Sequence, residues 1–246
     1  MKKVDSEIIS DVNSLLEILI SGKRDFNKIL IQKGKRGEKL NKIIKEARNR
    51  RIPFQFVDRY ILNKIVKENK GVAAFVSPVK YSDFMEVLES STNPLFVILN
   101  GIEDPRNFGA IIRTSEACGV EGIIVRERRS SGITPSVYAS SSGAVEFVKI
   151  IRVNNIGRAI EELKFRRIKV VGADKEGEDY WFKFDYTNPV AIVFGSEGKG
   201  ITRIVKEKCD KILSIPMAGR VNSLNVSVAA GIFLYEIFRQ RKLKKS

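Results

Sequence analysis

The sequence predicts an α/β protein in two parts. A small α/β domain occupies residues 1–90, and a larger domain over residues 91–246 is built on a parallel sheet covered by helices. Three observations carry this. Short apolar runs alternate with helical spacing along the chain; the turn formers SSTNP at 90–94 separate two such series; and strands of the second series, such as LFVILN at 95–100, are continuously apolar, as strands buried on both faces are. Hydrophobic residues make up 43% of the 246 and charged residues 30%, enough for a core without disulfide or metal staples.

In the first part, IISDVNSLLEIL has helical spacing, KILIQ is apolar, EKLNKIIKEARNR is helical, and PFQFVD and GVAAFVSPV read as strands. In the second, LFVILN precedes the helical RNFGAIIRTSEAC, GIIVR precedes a Ser-rich stretch, and the strands IKVVGAD and PVAIVFG come after it. A long, mostly apolar segment from about Leu224 to Lys242 forms the last helix, and its basic end RQRKLKK suits the negative pole of a helix dipole.

Composition narrows the chemistry. There are 44 Lys+Arg against 29 Asp+Glu, and 44 − 29 leaves a net charge of +15. The densest run, Lys23 to Arg51, holds twelve cations and three anions. Such a surface concentrates polyanions, and KGKRGEKLNK, broken by glycines and short of aromatic anchors, suits nucleic acid better than membrane; a thermophile's charged surface is the plain alternative. With no histidine, and with Cys118 and Cys209 far apart, a structural zinc site and a histidine-based triad are excluded. The start MKKVDSEIIS lacks the apolar core of a signal peptide and no apolar run approaches the ~20 residues of a membrane helix, so a cytoplasmic protein is expected.

Three segments carry candidate chemistry. In EDPRNFGAIIRTSEACG (103–119) a strand ends in a polar turn that opens a helix; Asn107 is a candidate cap, and Arg113 and Glu116 share a helical face. VFGSEGKGI (193–201) has glycines at 195, 198 and 200, but Ile201 after Gly200 refuses a Walker A loop and the dinucleotide pattern is absent, leaving an amide-rich turn around one acid, Glu197. ILSIPMAGRVNSLNVSVAAGIFLYEIF (212–238) brings Asn222, Ser223 and Asn225 to the start of the last helix, with Asn222 or Ser223 as its cap, and Ala229, Ala230 and Gly231 allow close packing.

Together, in this order, DPRNFGAIIRT, VFGSEGKG and IPMAGRVNSLNVSVAAGI resemble the three motifs of the SpoU (TrmH-type) ribose 2′-O-methyltransferases, a branch of the SPOUT superfamily, over about residues 95–242. The preceding residues are similar to the small RNA substrate-binding domain of that family's ribosomal RNA guanosine enzymes, although Asn69-Lys70-Gly71 stands where relatives often have His-Gln-Gly. The resemblance implies a Rossmann-like domain with a deep C-terminal trefoil knot, S-adenosyl-L-methionine as cofactor, a homodimer with its site between subunits, and structured RNA as partner: 23S ribosomal RNA first, transfer RNA as the alternative. It places Gly195, Ile215, Met217 and Leu224 at the cofactor, and Asn107, Arg113, Glu197, Ser223 and Asn225 at the catalytic site.

The reaction implied is in-line methyl transfer to a ribose 2′-hydroxyl, a poor nucleophile while protonated. Two roles stay open for Arg113. It is held neutral to act as base, or it stays cationic, orients a phosphate and stabilises the developing alkoxide while another acceptor takes the proton; the ordinary guanidinium pKa of roughly 12 or more favours the second. Glu197, Ser223 and Asn225 would orient Arg113 and the ribose, and Asn107 would hold the first-motif turn. The competing class is a non-catalytic RNA-binding module, such as a ribosome-assembly factor, against which the survival of Arg113, Glu197, Ser223 and Asn225 in their motif contexts speaks.

Overall fold

A computed structural model describes residues 6–127 and 132–243. Along the chain run β1 (Glu7–Ile9), α1 (Val12–Ser21), β2 (Phe26–Gln32), α2 (Glu38–Asn49), β3 (Phe54–Val57), α3 (Arg59–Ile65), β4 (Val72–Val76) and α4 (Phe84–Leu88). Next come β5 (Leu95–Asn100), α5 (Pro105–Ala117), β6 (Gly122–Arg126), α6 (Pro135–Ser141), a 3-10 turn (Ala144–Glu146), β7 (Lys149–Val153), α7 (Ile156–Phe165) and β8 (Lys169–Ala173). The chain closes with β9 (Asp179–Tyr180), a second 3-10 turn (Trp181–Lys183), β10 (Val190–Gly195), α8 (Arg203–Lys208), β11 (Lys211–Ser214) and α9 (Val226–Leu243).

The chain divides into two compact units, but not at SSTNP. The first comprises Met1–Lys80 with Ile133–Phe147, the second Tyr81–Gly132 with Val148–Ser246. The boundary expected at residue 90 is therefore displaced. Val87 and Leu88 of α4, ahead of the turn formers, are buried in the same apolar cluster as Phe96 and Ile98 of β5, so packing assigns α4 to the second unit. The Ser-rich stretch is displaced the other way: from Ile133 it packs with the first unit, where Ser14 Oγ donates to the Tyr138 carbonyl at 2.9 Å. Residues 128–131 of that stretch, the first residues of MKKVDSEIIS and the final lysines of RQRKLKK lie outside the described residues.

In the first unit a four-stranded sheet has the order β1-β4-β2-β3, with β4 antiparallel to β1 and β2, and β2 parallel to β3. The expected helix over IISDVN is half wrong. Glu7–Ile9 pair with Val76–Ala74, because the edge of β4 offers their backbone groups a ladder, and the helix starts only at Val12 after Asp11, whose carboxylate accepts from Ser14 N–H at 2.9 Å. One cation of the dense basic run is no surface charge: Arg24 is 3% exposed at its side chain and pairs with Glu7 at 2.7 Å and Glu146 at 3.0 Å.

The second unit holds a seven-stranded sheet of order β7-β6-β5-β10-β8-β11-β9, parallel at every pairing, as the apolar runs predicted. Leu95 to Leu99 are at most 1% exposed, so β5 is covered on both faces. Phe96, Ile98, Ile124 and Val193 join α4, α7 and α8 residues in one apolar cluster. Phe194 turns to the other face and meets Phe233 of α9 edge-on at 5.8 Å, a geometry worth about 0.5–1.5 kcal/mol beyond burial. The basic end of α9 does more than complement a dipole: Arg241 donates to the carbonyls of Asn93, Pro94, Tyr186 and Asn188, tying two loops to the helix end. No helix among the described residues is long and apolar enough to cross a membrane.

Candidate active site

All three motif segments leave the sheet at its carboxyl edge, where open parallel sheets receive ligands. The first runs from the end of β5 into α5. Asp104, not Asn107, caps this helix, accepting from Arg106 N–H at 2.8 Å. Asn107 sits one residue beyond Arg106, buried, which frees its amide for a longer-range bond. The second segment is the loop after β10. Ser196 and Gly200 exchange backbone hydrogen bonds at 2.9 and 3.1 Å, closing a tight turn in which Gly198 and Gly200 take φ of +82° and +64°. Glu197 is held at the tip. A side chain at Gly195 is impossible without movement, since its Cβ would lie 2.0 Å from Gly200 C and 2.2 Å from Ile201 N.

The third segment links β11 to α9. Here too the cap differs from the expectation, which favoured Asn222 or Ser223. Asn225 performs it, its Oδ1 accepting from Ser227 N–H at 2.9 Å and Ser227 Oγ at 2.5 Å. The Asn225 amide points the other way. It donates to Glu197 Oε1 at 2.7 Å and to Asn107 Oδ1 at 3.0 Å, while Asn107 Nδ2 donates to Glu197 Oε1 at 2.8 Å. One residue from each motif thus closes a triangle, in which both asparagine amides converge on a single carboxylate oxygen.

A cavity of ≈ 700 Å³ lies over the carboxyl ends of β10, β8 and β11. Gly195, Ile215, Met217 and Leu224 all line it, as do Glu197, Ser223 and Asn225. Sequence reasoning missed Phe194, Phe233, Asp174, Glu176 and Lys206 on the same wall. Asp174 was within reach, standing directly after β8 in IKVVGAD at the strand end where ligands bind; Lys206, on α8, carries no local signal. Burial works against the charge of Lys206, but the carboxylates of Glu176 at 2.8 Å and Asp174 at 3.1 Å outweigh it and raise its pKa. The cavity fits S-adenosylmethionine in size and chemistry. Phe194, Leu213, Ile215 and Leu224 offer apolar surface to a base, and the charged lining, in which Asp174, Glu176 and Glu197 stand with Lys175, Lys199 and Lys206, suits a ligand that carries both cationic and anionic groups.

A second cavity, of ≈ 420 Å³, lies over the carboxyl ends of β6, β5 and β10, and Ser196, Glu197, Lys199 and Val226 line both. Arg113 lines neither. It is exposed on α5, six residues beyond Asn107, a spacing that turns it about 120° away around the helix.

Known proteins share this fold. Residues 94–235 match the model of the SpoU rRNA Methylase family, and residues 12–82 match the family described as RNA 2′-O ribose methyltransferase substrate binding. A protein of Staphylococcus haemolyticus named for the TrmH family of tRNA/rRNA methyltransferases is 39% identical over 239 residues, 95% of this chain and 96% of that one. The crystal structure of the SpoU methyltransferase AviRb from Streptomyces viridochromogenes, in complex with the cofactor AdoMet, superposes with a TM-score of 0.82 at 25% identity, covering 97% of this chain and 91% of that one. A TrmH/SpoU tRNA modifying enzyme of A. aeolicus is 35% identical with a TM-score of 0.58, over 66% of this chain and 82% of its own. The order of the motifs, the sheet that carries them and these similarities lead to one conclusion: the chain belongs to the SpoU rRNA methylase family.

Proposed function

We propose that this SpoU-family RNA methyltransferase methylates a ribose 2′-hydroxyl in structured RNA, a guanosine of 23S ribosomal RNA being the leading target. The observation that carries the reading is the Asn107–Glu197–Asn225 triangle beside a cavity lined by Gly195, Ile215, Met217 and Leu224. When bound there, S-adenosylmethionine supplies a methyl group already activated by its sulfonium. What the chain must add is alignment and stabilisation of the oxygen as it loses its proton. Glu197, locked by two amides, orients the ribose, and Ser223 acts from the cofactor side of that wall. Asn107 fixes the first-motif loop against the other two. The Arg113 guanidinium stabilises developing negative charge while a separate acceptor takes the proton.

Because Arg113 lines neither cavity of its own chain, we place it in the site of a second copy, giving a homodimer. Exposed Val228, Tyr235 and Phe238 on α9 supply apolar surface for such a contact. The knot belongs to the same proposal, supported by the way β10 and β11 loops share one cavity wall. The first unit, with its basic run, holds the RNA through phosphates, which set position more than sequence. Transfer RNA is the second reading, favoured by the 35% identity to the A. aeolicus enzyme. Incubating the protein with labelled cofactor and unmodified ribosomal and transfer RNA, then mapping the product, tests both; label on a base rather than a 2′-oxygen, or on no RNA, refutes the reading.

A further inference from the structure

We propose that the ≈ 420 Å³ cavity receives the target nucleotide as a single extruded unit, with Arg126 and Lys199 holding the phosphates on either side of it. This rests on the methyltransferase reading above. It adds a site and two residues that the three motifs did not single out for substrate.

Position is the first argument. An oxygen attacking in line must come within about 3–3.5 Å of the carbon it attacks, so the acceptor has to occupy space that abuts the cofactor cavity. This second cavity does so through a common wall that includes Glu197, the residue fixed by Asn107 and Asn225. The β10 loop divides the two: one opens over β8 and β11, the other over β5 and β6.

Chemistry is the second. Ile102 and Val226 are the only aliphatic side chains lining the second cavity among the described residues, so it suits a sugar and phosphates rather than an apolar group. The charges are ordered by the sheet. Arg126 ends β6 and Lys199 belongs to the β10 loop, while the carboxylates Glu103 and Asp104 come from the loop after β5, the strand between those two; Glu197 shares the β10 loop with Lys199, but its Oε1 already accepts from the Asn107 and Asn225 amides. A phosphate is repelled at the centre and attracted at the two edges. The central carboxylates accept hydrogen bonds only, and so face ribose hydroxyls or base N–H groups. A nucleotide with a phosphate on each side and donors between them matches this order; a free anion does not.

Size is the third. A cavity among three strand-end loops admits one nucleotide and no duplex. The substrate is then a ribose in a loop, a bulge or a displaced strand, consistent with RNA recognition generally reaching unpaired residues.

The test uses the full-length protein and whichever unmodified transcript the wild type methylates. Arg126 lines only the second cavity and is exposed, so Arg126→Ala is expected to melt within a few degrees of wild type and bind S-adenosylhomocysteine within twofold. It should raise KM for the transcript at least tenfold with little change in kcat. It should also flatten the slope of log Kd against log salt by about 0.7 to 1, as the removal of one phosphate neutralisation does. Arg126→Lys should recover part of both. Arg126→Gln, which keeps the stem, separates loss of charge from loss of packing should the alanine variant melt early. An unchanged KM and salt slope in Arg126→Gln and Lys199→Ala overturns the proposal while leaving the methyltransferase reading intact. A wild type that neither takes up S-adenosylhomocysteine nor labels any transcript overturns both.

Discussion

The Asn225 side-chain amide donates to Glu197 Oε1 at 2.7 Å, joining the start of α9 to the tip of the β10 loop across 28 residues of sequence. The same oxygen accepts from Asn107, so a single carboxylate oxygen holds two motifs at once. Hydrogen bonds to a charged acceptor contribute about 1.5–3 kcal/mol each, more than the neutral kind. Glu197→Ala is therefore expected to lower kcat for methyl transfer by about 10- to 100-fold. Glu197→Gln, which keeps an acceptor oxygen, should fall less. Single-turnover kinetics on a labelled transcript separate the two, and an alanine variant at wild-type rate removes Glu197 from the site.

Gly195 lies against the backbone of Gly200 and Ile201, where no flexible side chain can give way. Gly195→Ala must push the loop aside, with overpacking costs of about 1–3 kcal/mol. S-adenosylhomocysteine binding by calorimetry should weaken at least tenfold, and Tm should fall.

Arg113→Ala should abolish most methyl transfer while S-adenosylhomocysteine affinity stays within twofold, because the side chain lines neither cavity of its own chain. Mixing and refolding Arg113→Ala with Glu197→Ala should recover activity, since one of the two sites in a mixed dimer then has both residues. A mixture no more active than its Glu197→Ala component alone points to a site complete within one chain.

In the first unit, Arg24 is enclosed by Glu7, Glu146 and Tyr138. Burial raises the pKa of the Glu7 carboxyl even against the adjacent guanidinium. Removing the cation leaves Glu146, 2% exposed at its side chain, without its ion partner, at a cost of about 3–5 kcal/mol. Urea unfolding of Arg24→Ala should show that loss; a loss below about 1 kcal/mol would mean that the pair is solvated.

Burial pushes the thiols up to about 11 at Cys118 and to about 12 at Cys209, where the Asp210 carboxylate adds to it. Both values exceed the roughly 8.5 of an unfolded cysteine, so their contribution to stability is complete below that pH and lost as pH rises through the folded values. The thiols should therefore leave unfolding free energy flat from pH 7 to about 8.5 and lower it above that. A thiol reagent at pH 8 should label the native protein far more slowly than the denatured one.

The sequence by itself determined the parallel sheet, because a strand such as LFVILN has no polar face to give to solvent, and its pattern put three polar, glycine-bearing segments at strand ends, while the choice of residues within them came from the resemblance to a family's motifs. It did not decide where the units part. SSTNP is a turn by composition, yet α4 before it and α6 far beyond it are assigned by which apolar surface each covers, a relation between residues tens of positions apart. Nor could local pattern choose between Asn107 and Asp104, or between Ser223 and Asn225, as helix caps. All four have capping chemistry, and the choice falls out of Glu197, whose oxygen takes one amide from each side once the three loops meet. Lys206 was invisible for the same reason: it is an ordinary surface cation in the sequence, and only the neighbouring strand ends turn it towards a cavity, whereas Arg126, which ends the strand GIIVR, stood within reach as Asp174 did.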